Sequence, residues 1–390
     1  MENFDIEVEK VNTSVPEGAK IKAIGVGGGG GNMINHMINE GISGIDLIVA
    51  NTDAQALDTS LAPFKIQLGM NATRGLGAGM VPEKGREAAL ESFEEIKGVL
   101  AGADIVFISA GMGGGTGTGA APVVAQAARD VGALTVSVVT SPFKFEGRKR
   151  MKLAKNGLEE LKQESDSIVV IPNEKLLTIV EKNLGVKESF RLVDNILSQA
   201  VGGISNVILS HAPNDINLDF ADVRTVMKHR GLALMGAGQS AGANAAYDAA
   251  KIALESPLLD DISIDGAMGV LVHFHIHPDY PILEISKAMD IIEENADEDA
   301  SVIFGTTTNP DIGEDEVLIT IVATGFEDPN SLASEKAKKA NEASTLMKNN
   351  AASANTPIQP ARQQRRVVGG FDGTNEDVLD VPTFLRKQMD

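Results

Sequence analysis

The chain has 390 residues, 43 % of them hydrophobic, with a formal net charge of −20 and neither cysteine nor tryptophan. This length suffices for two or three domains, while the missing cysteine excludes disulfide frameworks, thiolate metal sites and cysteine nucleophiles. The acidic charge argues against a nucleic-acid-binding surface. The absence of a signal-peptide core or a membrane-length apolar run predicts a cytoplasmic chain without direct membrane insertion.

The first half of the chain alternates apolar strands with helices. Strands are predicted at 21–27, 45–51, 104–110, 133–140 and 167–172. Between them, helices are predicted at 33–41, closed by Gly41, and at 82–100, with a proline near its start. Apolar strands that alternate with helices are typical of a parallel sheet covered on both faces. The pattern predicts an α/β, Rossmann-like domain with a mostly parallel sheet.

The second half is organised differently. Apolar residues recur at helical spacing through 185–209, which predicts one long central helix. Residues 219–326 then mix helices with further strands, typical of a smaller α+β domain. After Phe326 large apolar residues become rare, which predicts a disordered linker. They return in DVLDVPTFLRKQ near the end of the chain.

Two glycine-rich segments each follow a predicted strand and precede a helix. They are GVGGGGGN at 25–32 and GMGGGTGTG at 111–119. Glycine at such a turn lets backbone N–H groups approach an anion, and the helix N-terminus adds partial positive charge. Thr116 and Thr118 can add hydroxyl donors, and RGLGAGM at 74–80 also suits phosphate. Because two such segments occur in one predicted sheet, a phosphate-binding site is favoured over the alternative of two purely structural tight turns.

Several functions fit these segments. The ordinary P-loop pattern G-x-x-x-x-G-K-[ST] is absent. Gly25, Gly27 and Gly30 match G-x-G-x-x-G, and Asp46 or Asp53 could bind a ribose, as in an NAD(P)-dependent oxidoreductase. That alternative leaves the second glycine segment unexplained and lacks a convincing acid–base set. A nucleotide-binding assembly protein without hydrolysis is the third possibility.

Four motifs resemble the tubulin/FtsZ family of GTPases. They are GGGTGTG, NTDAQAL, FEGRKR and NLDFADVRTVM. The likeness spans roughly residues 20–326 and returns in DVPTFLRKQ. It implies a tubulin-like fold, GTP or GDP as ligand with Mg²⁺, and a GTPase that polymerises head to tail in the bacterial cell-division ring.

The resemblance also implies which residues bind the nucleotide. The two phosphate loops would be Gly28, Gly29, Gly30, Gly31 and Asn32, and Gly114, Gly115, Thr116, Gly117 and Thr118. Ala78 and Gly79 would lie by the γ-phosphate, Glu146 and Arg150 by the ribose and phosphates, and Phe190, Asp194 and Asn195 by the guanine. A carboxylate at Asp194 would accept hydrogen bonds from guanine N1–H and its amine, a donor pair that adenine lacks. The alternative for Asp194 and Asn195 is a solvated helix face.

An acidic loop supplies the predicted catalytic residues, Asn217, Asp219 and Asp222. Two carboxylates three residues apart at a helix start either cap the helix or orient and polarise a water, which phosphoryl hydrolysis chiefly needs. Asp194 lies over 20 Å from the far end of the predicted helix at 1.5 Å per residue. If Asp194 binds the base, Asp219 therefore reaches only a neighbour's nucleotide, in an open head-to-tail filament.

Two further features complete the predictions. His273, His275 and His277 fall at strand spacing on one side, but a metal site is not predicted there. The resemblance implies that the tail binds membrane-tethering division proteins at the midcell ring. The tail residues concerned are Asp380, Val381, Pro382, Phe384, Leu385, Arg386 and Lys387.

The predicted division of the chain has six parts. They are a flexible segment at 1–19, a GTP-binding domain at 20–184, the central helix at 185–209, a polymerisation domain at 210–326, a linker at 327–376 and a partner-binding peptide at 377–390.

Overall fold

The computed structural model describes residues 18–176, 185–209, 216, 218–229, 231–256, 259 and 266–326. Within them the strands are β1 Ile21–Val26, β2 Ile45–Asn51, β3 Phe64–Gln67, β4 Ile105–Gly111, β5 Leu134–Ser141, β6 Ser167–Pro172, β7 Leu232–Ala241, β8 Gly269–Ile276, β9 Ser301–Thr308 and β10 Glu316–Phe326. The helices are α1 Gly27–Asn39, α2 Ala54–Asp58, α3 Met70–Thr73, α4 Pro82–Glu91, α5 Phe93–Leu100, α6 Thr116–Asp130, α7 Arg148–Glu164, α8 Asn173–Leu176, α9 Val186–Leu209, α10 Phe220–Met227, α11 Ala245–Leu254 and α12 Ile282–Asn295.

The strands form one sheet in the order β3-β2-β1-β4-β5-β6-β7-β10-β8-β9. Strands β1 to β6 pair in parallel, which confirms the mostly parallel sheet. Strand β10 runs antiparallel to both β7 and β8, while β8 and β9 are parallel. The two halves meet where β6 pairs with β7 over two residue pairs, Ile168 with Leu232 and Val169 with Ala233.

Helices bury both faces of the parallel half of the sheet. Side chains alternate between the two faces along each strand, so one strand contributes to both clusters. Ile21 and Ala23 of β1 pack on one face with α1 and α9, whereas Ile24 and Val26 pack on the other with α6. A third apolar cluster covers the second half of the sheet beneath α11 and α12. The layered α/β arrangement therefore follows from continuous apolar strands.

Helix α9 confirms the predicted long central helix. Its 24 residues extend for about 36 Å, and its apolar stripe from Val193 to Ile208 is buried against the sheet. Gly203 lies toward the C-terminal end of the helix, where β10 approaches it closely. A Cβ at this position would lie 2.9 Å from Cγ2 of Thr320.

Two predicted helices differ from the observed ones. The helix expected at 33–41 begins at Gly27, inside the first glycine segment. The single helix expected at 82–100 is divided into α4 and α5 by Ser92, at φ −99° and ψ 15°. The Ser92 hydroxyl accepts a hydrogen bond from the Gly69 N–H at 3.2 Å, so a tertiary contact lies where the helix is interrupted.

None of the helices in the described ranges combines the length and apolar character that a bilayer crossing requires. Residues 1–17 and 327–390 lie outside the described residues. They include most of the predicted N-terminal segment and all of the linker and the partner-binding peptide.

Candidate nucleotide site

A cavity of about 350 Å³ opens where β1, β4, β5 and β6 end. The chain leaves β1 toward β2 and leaves β4 toward β5 on the opposite side, so this is the switch point at which open α/β sheets bind ligands. We call it the switch-point cavity. Its lining residues are Gly28, Gly29, Asn32, Gly79, Gly111, Met112, Gly114, Gly115, Thr116, Gly117, Thr140, Pro142, Glu146, Arg150, Asn173, Phe190, Val193, Asp194 and Leu197.

Two helix N-termini face this cavity. Helix α1 begins at Gly27 and α6 at Thr116, and neither has a side-chain cap or an acidic residue in its first turn. The first backbone N–H groups of a helix have no partner within the helix, and the helix dipole places partial positive charge there. Together the two glycine segments present a surface that suits an anion.

The predicted third turn joins the second glycine segment. The Gly115 N–H donates to the Gly79 carbonyl at 2.8 Å, and Gly79 lines the cavity. Ala78 is buried behind it, 4 % exposed, and does not line the cavity. This contact holds residues 78–79 against the start of α6.

Glu146 and Arg150 form an ion pair at the mouth of the cavity. One Glu146 oxygen accepts from the Phe143 N–H at 2.8 Å, and the other lies 2.7 Å from an Arg150 nitrogen. Glu146 thereby orients the guanidinium, whose buried Nε atom has no protein partner. A guanidinium fixed in this way suits a phosphate or ribose oxygen.

Helix α9 presents two faces to two cavities. Its residues in the switch-point cavity are Phe190, Val193, Asp194 and Leu197. Their spacing of three and four residues places them on one face. Asn195 lies about 100° further round the helix and lines a second cavity of about 290 Å³, together with His273 and His275.

An aromatic surface and a carboxyl group stand at the α9 side of the switch-point cavity. The Phe190 ring is 41 % exposed and packs edge-on against Phe143 at 5.5 Å between centroids. Burial raises the pKa of Asp194 to about 6, partly opposed by the nearby His36. The pair offers a flat face for a ring system and an acceptor for its edge.

Asn173 is a cavity residue that the sequence analysis missed. It directly follows β6, is 4 % exposed and lines the switch-point cavity. Its buried Oδ1 atom has no hydrogen-bond partner in the protein. A buried amide oxygen of this kind suits a ligand N–H donor, and a polar residue at the carboxyl end of a parallel strand was the available signal.

Four other predicted ligand residues lie behind the lining. Gly30 and Gly31 are buried within α1, and a Cβ on Gly30 would collide with the Ser109 carbonyl of β4. Gly30 therefore permits close packing of helix on strand. The buried Thr118 hydroxyl accepts from the Gly113 N–H at 2.8 Å and shapes the loop from within. Ala78 is the fourth.

The ribose-binding residues of the dinucleotide alternative have other partners. Asp53 caps α2 by accepting from the Gln55 N–H at 2.9 Å. Asp46 lies 3.8 Å from Lys22 Nζ across the β1–β2 pair. Neither carboxylate lines the switch-point cavity.

The acidic loop lies elsewhere on the molecule. Asp219 caps α10, accepting from the Ala221 N–H at 3.2 Å, and Asp222 lies in the first turn. Both carboxylates are exposed, and neither lines the switch-point cavity. Asn217 lies outside the described residues. The capping contact is thus present, and it leaves both carboxylates accessible.

The three histidines do not act together. Burial lowers the pKa of His273 to about 4, and its Nε2 is 2.8 Å from the Thr307 hydroxyl. His277 follows the end of β8 and accepts from the Asp279 N–H at 3.2 Å. Across the described ranges, no three His, Cys, Asp or Glu side chains are grouped to hold a metal ion.

Comparisons with known proteins agree with this architecture. The model of the Tubulin/FtsZ family GTPase domain matches residues 20–181, and that of the FtsZ family C-terminal domain matches 231–327. The cell division protein FtsZ of Helicobacter pylori is 45 % identical over 397 aligned residues, covering 100 % of this chain and 98 % of the relative.

Solved structures show the same fold. An empty FtsZ dimer from M. jannaschii is 46 % identical with a TM-score of 0.75, covering 79 % of this chain and 89 % of that one. CetZ2 from Haloferax volcanii shares the fold at 21 % identity and a TM-score of 0.69, covering 84 % and 99 % of the two chains. The chain therefore belongs to the tubulin/FtsZ family of GTPases, among the FtsZ cell-division proteins.

Proposed function

We propose that the chain binds GTP in the switch-point cavity and that the acidic loop of a neighbouring subunit completes the site for hydrolysis. Head-to-tail stacking of the subunits into the filaments of the division ring brings this loop to the cavity. The observation that carries this proposal is the position of Asp194 in the first half of α9 and of Asp219 beyond the C-terminal end of that helix. It explains why neither Asp219 nor Asp222, the two candidate catalytic residues that the structure describes, lines the cavity.

The cavity residues support a guanine nucleotide. Phe190 would stack on the base, and the Asp194 carboxylate would accept from N1–H and the exocyclic amine. Asn173, with its unpaired buried oxygen, would contact the same base. The glycine segments and Arg150 would bind the phosphates. Mg²⁺ prefers oxygen ligands and usually binds through substrate phosphates and water, so bound GTP would supply most of its ligands.

Two distances support a shared site. Asp194 precedes Leu209 by 15 residues of continuous helix, or about 22 Å. The acidic loop continues into α10, which packs on β8 and β9 at the far edge of the sheet. Strand β9 is four strands from β6, or about 19 Å at 4.8 Å per strand. A loop so far from its own cavity can serve the cavity of the next subunit.

Base recognition is tested with Asp194→Ala. We expect GTP affinity to fall by about tenfold or more, because the guanine donors lose a charged acceptor, and the preference for GTP over ATP to narrow. Nucleotide titrations of both proteins measure this. Asp290→Ala, at an exposed position on α12, is the matched control and should bind as wild type. Unchanged affinity and selectivity in Asp194→Ala would refute the assignment.

GTP binding should also depend on pH. Burial raises the pKa of Asp194 to about 6, so the carboxyl group is ionised above this pH and gains a proton as the pH falls below it. A protonated carboxyl is a poorer acceptor for guanine, so affinity should decrease as pH falls from 7.5 to 5, by at most about tenfold per pH unit.

This pH dependence is measured by GTP titration at each pH, with circular dichroism to verify folding. Asp194→Asn is the control, because its amide does not titrate in this range. The terminal phosphate of GTP, with a pKa of about 6, titrates equally for both proteins, so affinity should decrease less steeply with falling pH for Asp194→Asn than for the wild type. Equal slopes for the two proteins would assign the pH dependence to another group.

The tail is proposed to bind membrane-tethering division proteins and so to place the chain at midcell. Val381, Phe384 and Leu385 beside Arg386 and Lys387 suit a short peptide that folds onto a partner.

Deletion of residues 377–390 should leave GTP turnover and polymerisation unchanged, because none of the described cavity residues is removed. Binding to a membrane-tethered division protein should be lost, as measured by co-sedimentation with vesicles that carry it. A truncated protein without GTPase activity would show that the tail acts in catalysis.

A further inference from the structure

Thr52 carries a buried hydroxyl group beside the switch-point cavity. This hydroxyl has no part in the proposed nucleotide site. It directly follows β2, is 0 % exposed and does not line the cavity. Its Oγ1 lies 2.7 Å from Oγ1 of Thr116, the first residue of α6. Thr116 does line the cavity, so this bond links a buried residue to the proposed phosphate surface.

The Thr52 carbonyl fixes the other side of the site. It accepts from the Gln67 side-chain amide at 3.1 Å, from the Thr73 hydroxyl at 3.2 Å, which shares its hydrogen with the Gly69 carbonyl at 3.0 Å, and from the Gly77 N–H at 3.2 Å. The last two donors belong to the segment that leads to Gly79. These bonds fix the Thr52 backbone, and the bond to Thr116 places its hydroxyl.

A bound anion would decide which hydroxyl donates in the hydrogen bond between Thr52 and Thr116. A hydroxyl donates one hydrogen bond and accepts up to two. Phosphate oxygens accept only, so a Thr116 hydroxyl that donates to a phosphate must receive, not give, the bond with Thr52. The result is a donor chain from the Thr52 hydroxyl to Thr116 and from Thr116 to the anion, and each bond polarises the next.

We propose that Thr52 is a positioning residue for nucleotide binding, whose hydroxyl orients the Thr116 hydroxyl toward the phosphates. This inference rests on the proposed GTP site. Valine is the nearest isostere of threonine without the hydroxyl, so Thr52→Val removes the bond with little change in shape. Serine keeps the hydroxyl without the methyl group.

A double-mutant cycle tests the proposal on the full chain, with GTP affinity as the readout. Thr116→Val should weaken GTP binding about tenfold or more, the size of one hydrogen bond to a charged group. Thr52→Val should weaken it by about three- to tenfold, because the bond it removes joins two neutral hydroxyls. The double variant should be no weaker than Thr116→Val alone, because Thr52 acts through Thr116. Thr52→Ser should bind GTP nearly as wild type does.

The outcomes separate this inference from the proposed function. Wild-type affinity in Thr52→Val, or losses that multiply in the double variant, would overturn the positioning role while leaving the GTP site intact. Failure of the wild-type protein to bind GTP would instead refute the proposed function. Thermal melting checks that each variant is folded, and Thr52→Ala, which removes the hydroxyl with less bulk, replaces Thr52→Val if the latter does not fold.

Discussion

Asp219→Ala is expected to bind GTP with wild-type affinity and to hydrolyse it at least about 100-fold more slowly, since a positioned acid–base group contributes about 10²–10⁴. Binding should persist because Asp219 lies outside the switch-point cavity of its own chain. Turnover should fall because Asp219 no longer orients the water at a neighbour's γ-phosphate and only Asp222 remains of the two carboxylates. Nucleotide titration and steady-state phosphate release measure the two properties.

Asp219→Asn separates catalysis from helix capping. Asp219 accepts from the Ala221 N–H at the start of α10, and loss of such a cap costs about 1 kcal/mol. Asparagine caps as well as aspartate does, so this variant should keep the wild-type stability and still hydrolyse GTP slowly. If Asp219→Asn hydrolysed GTP at the wild-type rate, Asp219 would have only the structural role of capping α10.

Gly115→Ala is expected to lose GTP affinity by about 100-fold or more and to lower the melting temperature. An alanine Cβ would lie 2.5 Å from the Gly79 carbonyl oxygen and 2.9 Å from that of Ala78. Both contacts are with backbone, so residues 78–79 must move away from the start of α6. The Gly115 bond to Gly79 would then break. The backbone N–H groups at the start of α6 would no longer be placed to bind the phosphates, so GTP affinity would fall.

Gly98→Ala is the matched control. Gly98 lies within α5, and a Cβ there meets no atom within 4 Å. The change should leave GTP binding intact and raise stability by roughly 0.5–1 kcal/mol, because alanine favours a helix. Equal GTP affinity in both variants would show that the 115–79 contact does not shape the site.

The fold could be predicted from the sequence in the elements where apolar residues recur regularly. Strands β1, β2, β4, β5 and β6 are apolar on both faces, and α9 keeps its helical period throughout, so each element carries several mutually consistent signals. The division at Ser92 was not predictable, because its hydroxyl contacts Gly69, 23 residues away. A single tertiary hydrogen bond leaves no periodic trace in the sequence.

Individual site residues were predictable when they lay in a motif or on a known helix face. Phe190 and Asp194 share a face at a spacing of four residues, whereas Asn195 is turned toward the second cavity. The 100° rotation between neighbouring helical residues already separates the two. Asn173 lies in no periodic pattern, and its role depends on where β6 ends in the sheet. Thr52 depends likewise on a contact with a residue 64 positions away.

Mixing Asp194→Ala with Asp219→Asn tests the shared site most directly. Each variant lacks a different half of the site, so in randomly ordered mixed filaments about one contact in four joins an intact cavity to an intact acidic loop. Co-sedimentation verifies that both variants enter the filaments. GTP turnover of the mixture should exceed the sum of the separate activities, and wild-type turnover per molecule should rise above an assembly concentration. Additive activities and turnover independent of concentration would mean that each molecule hydrolyses GTP alone.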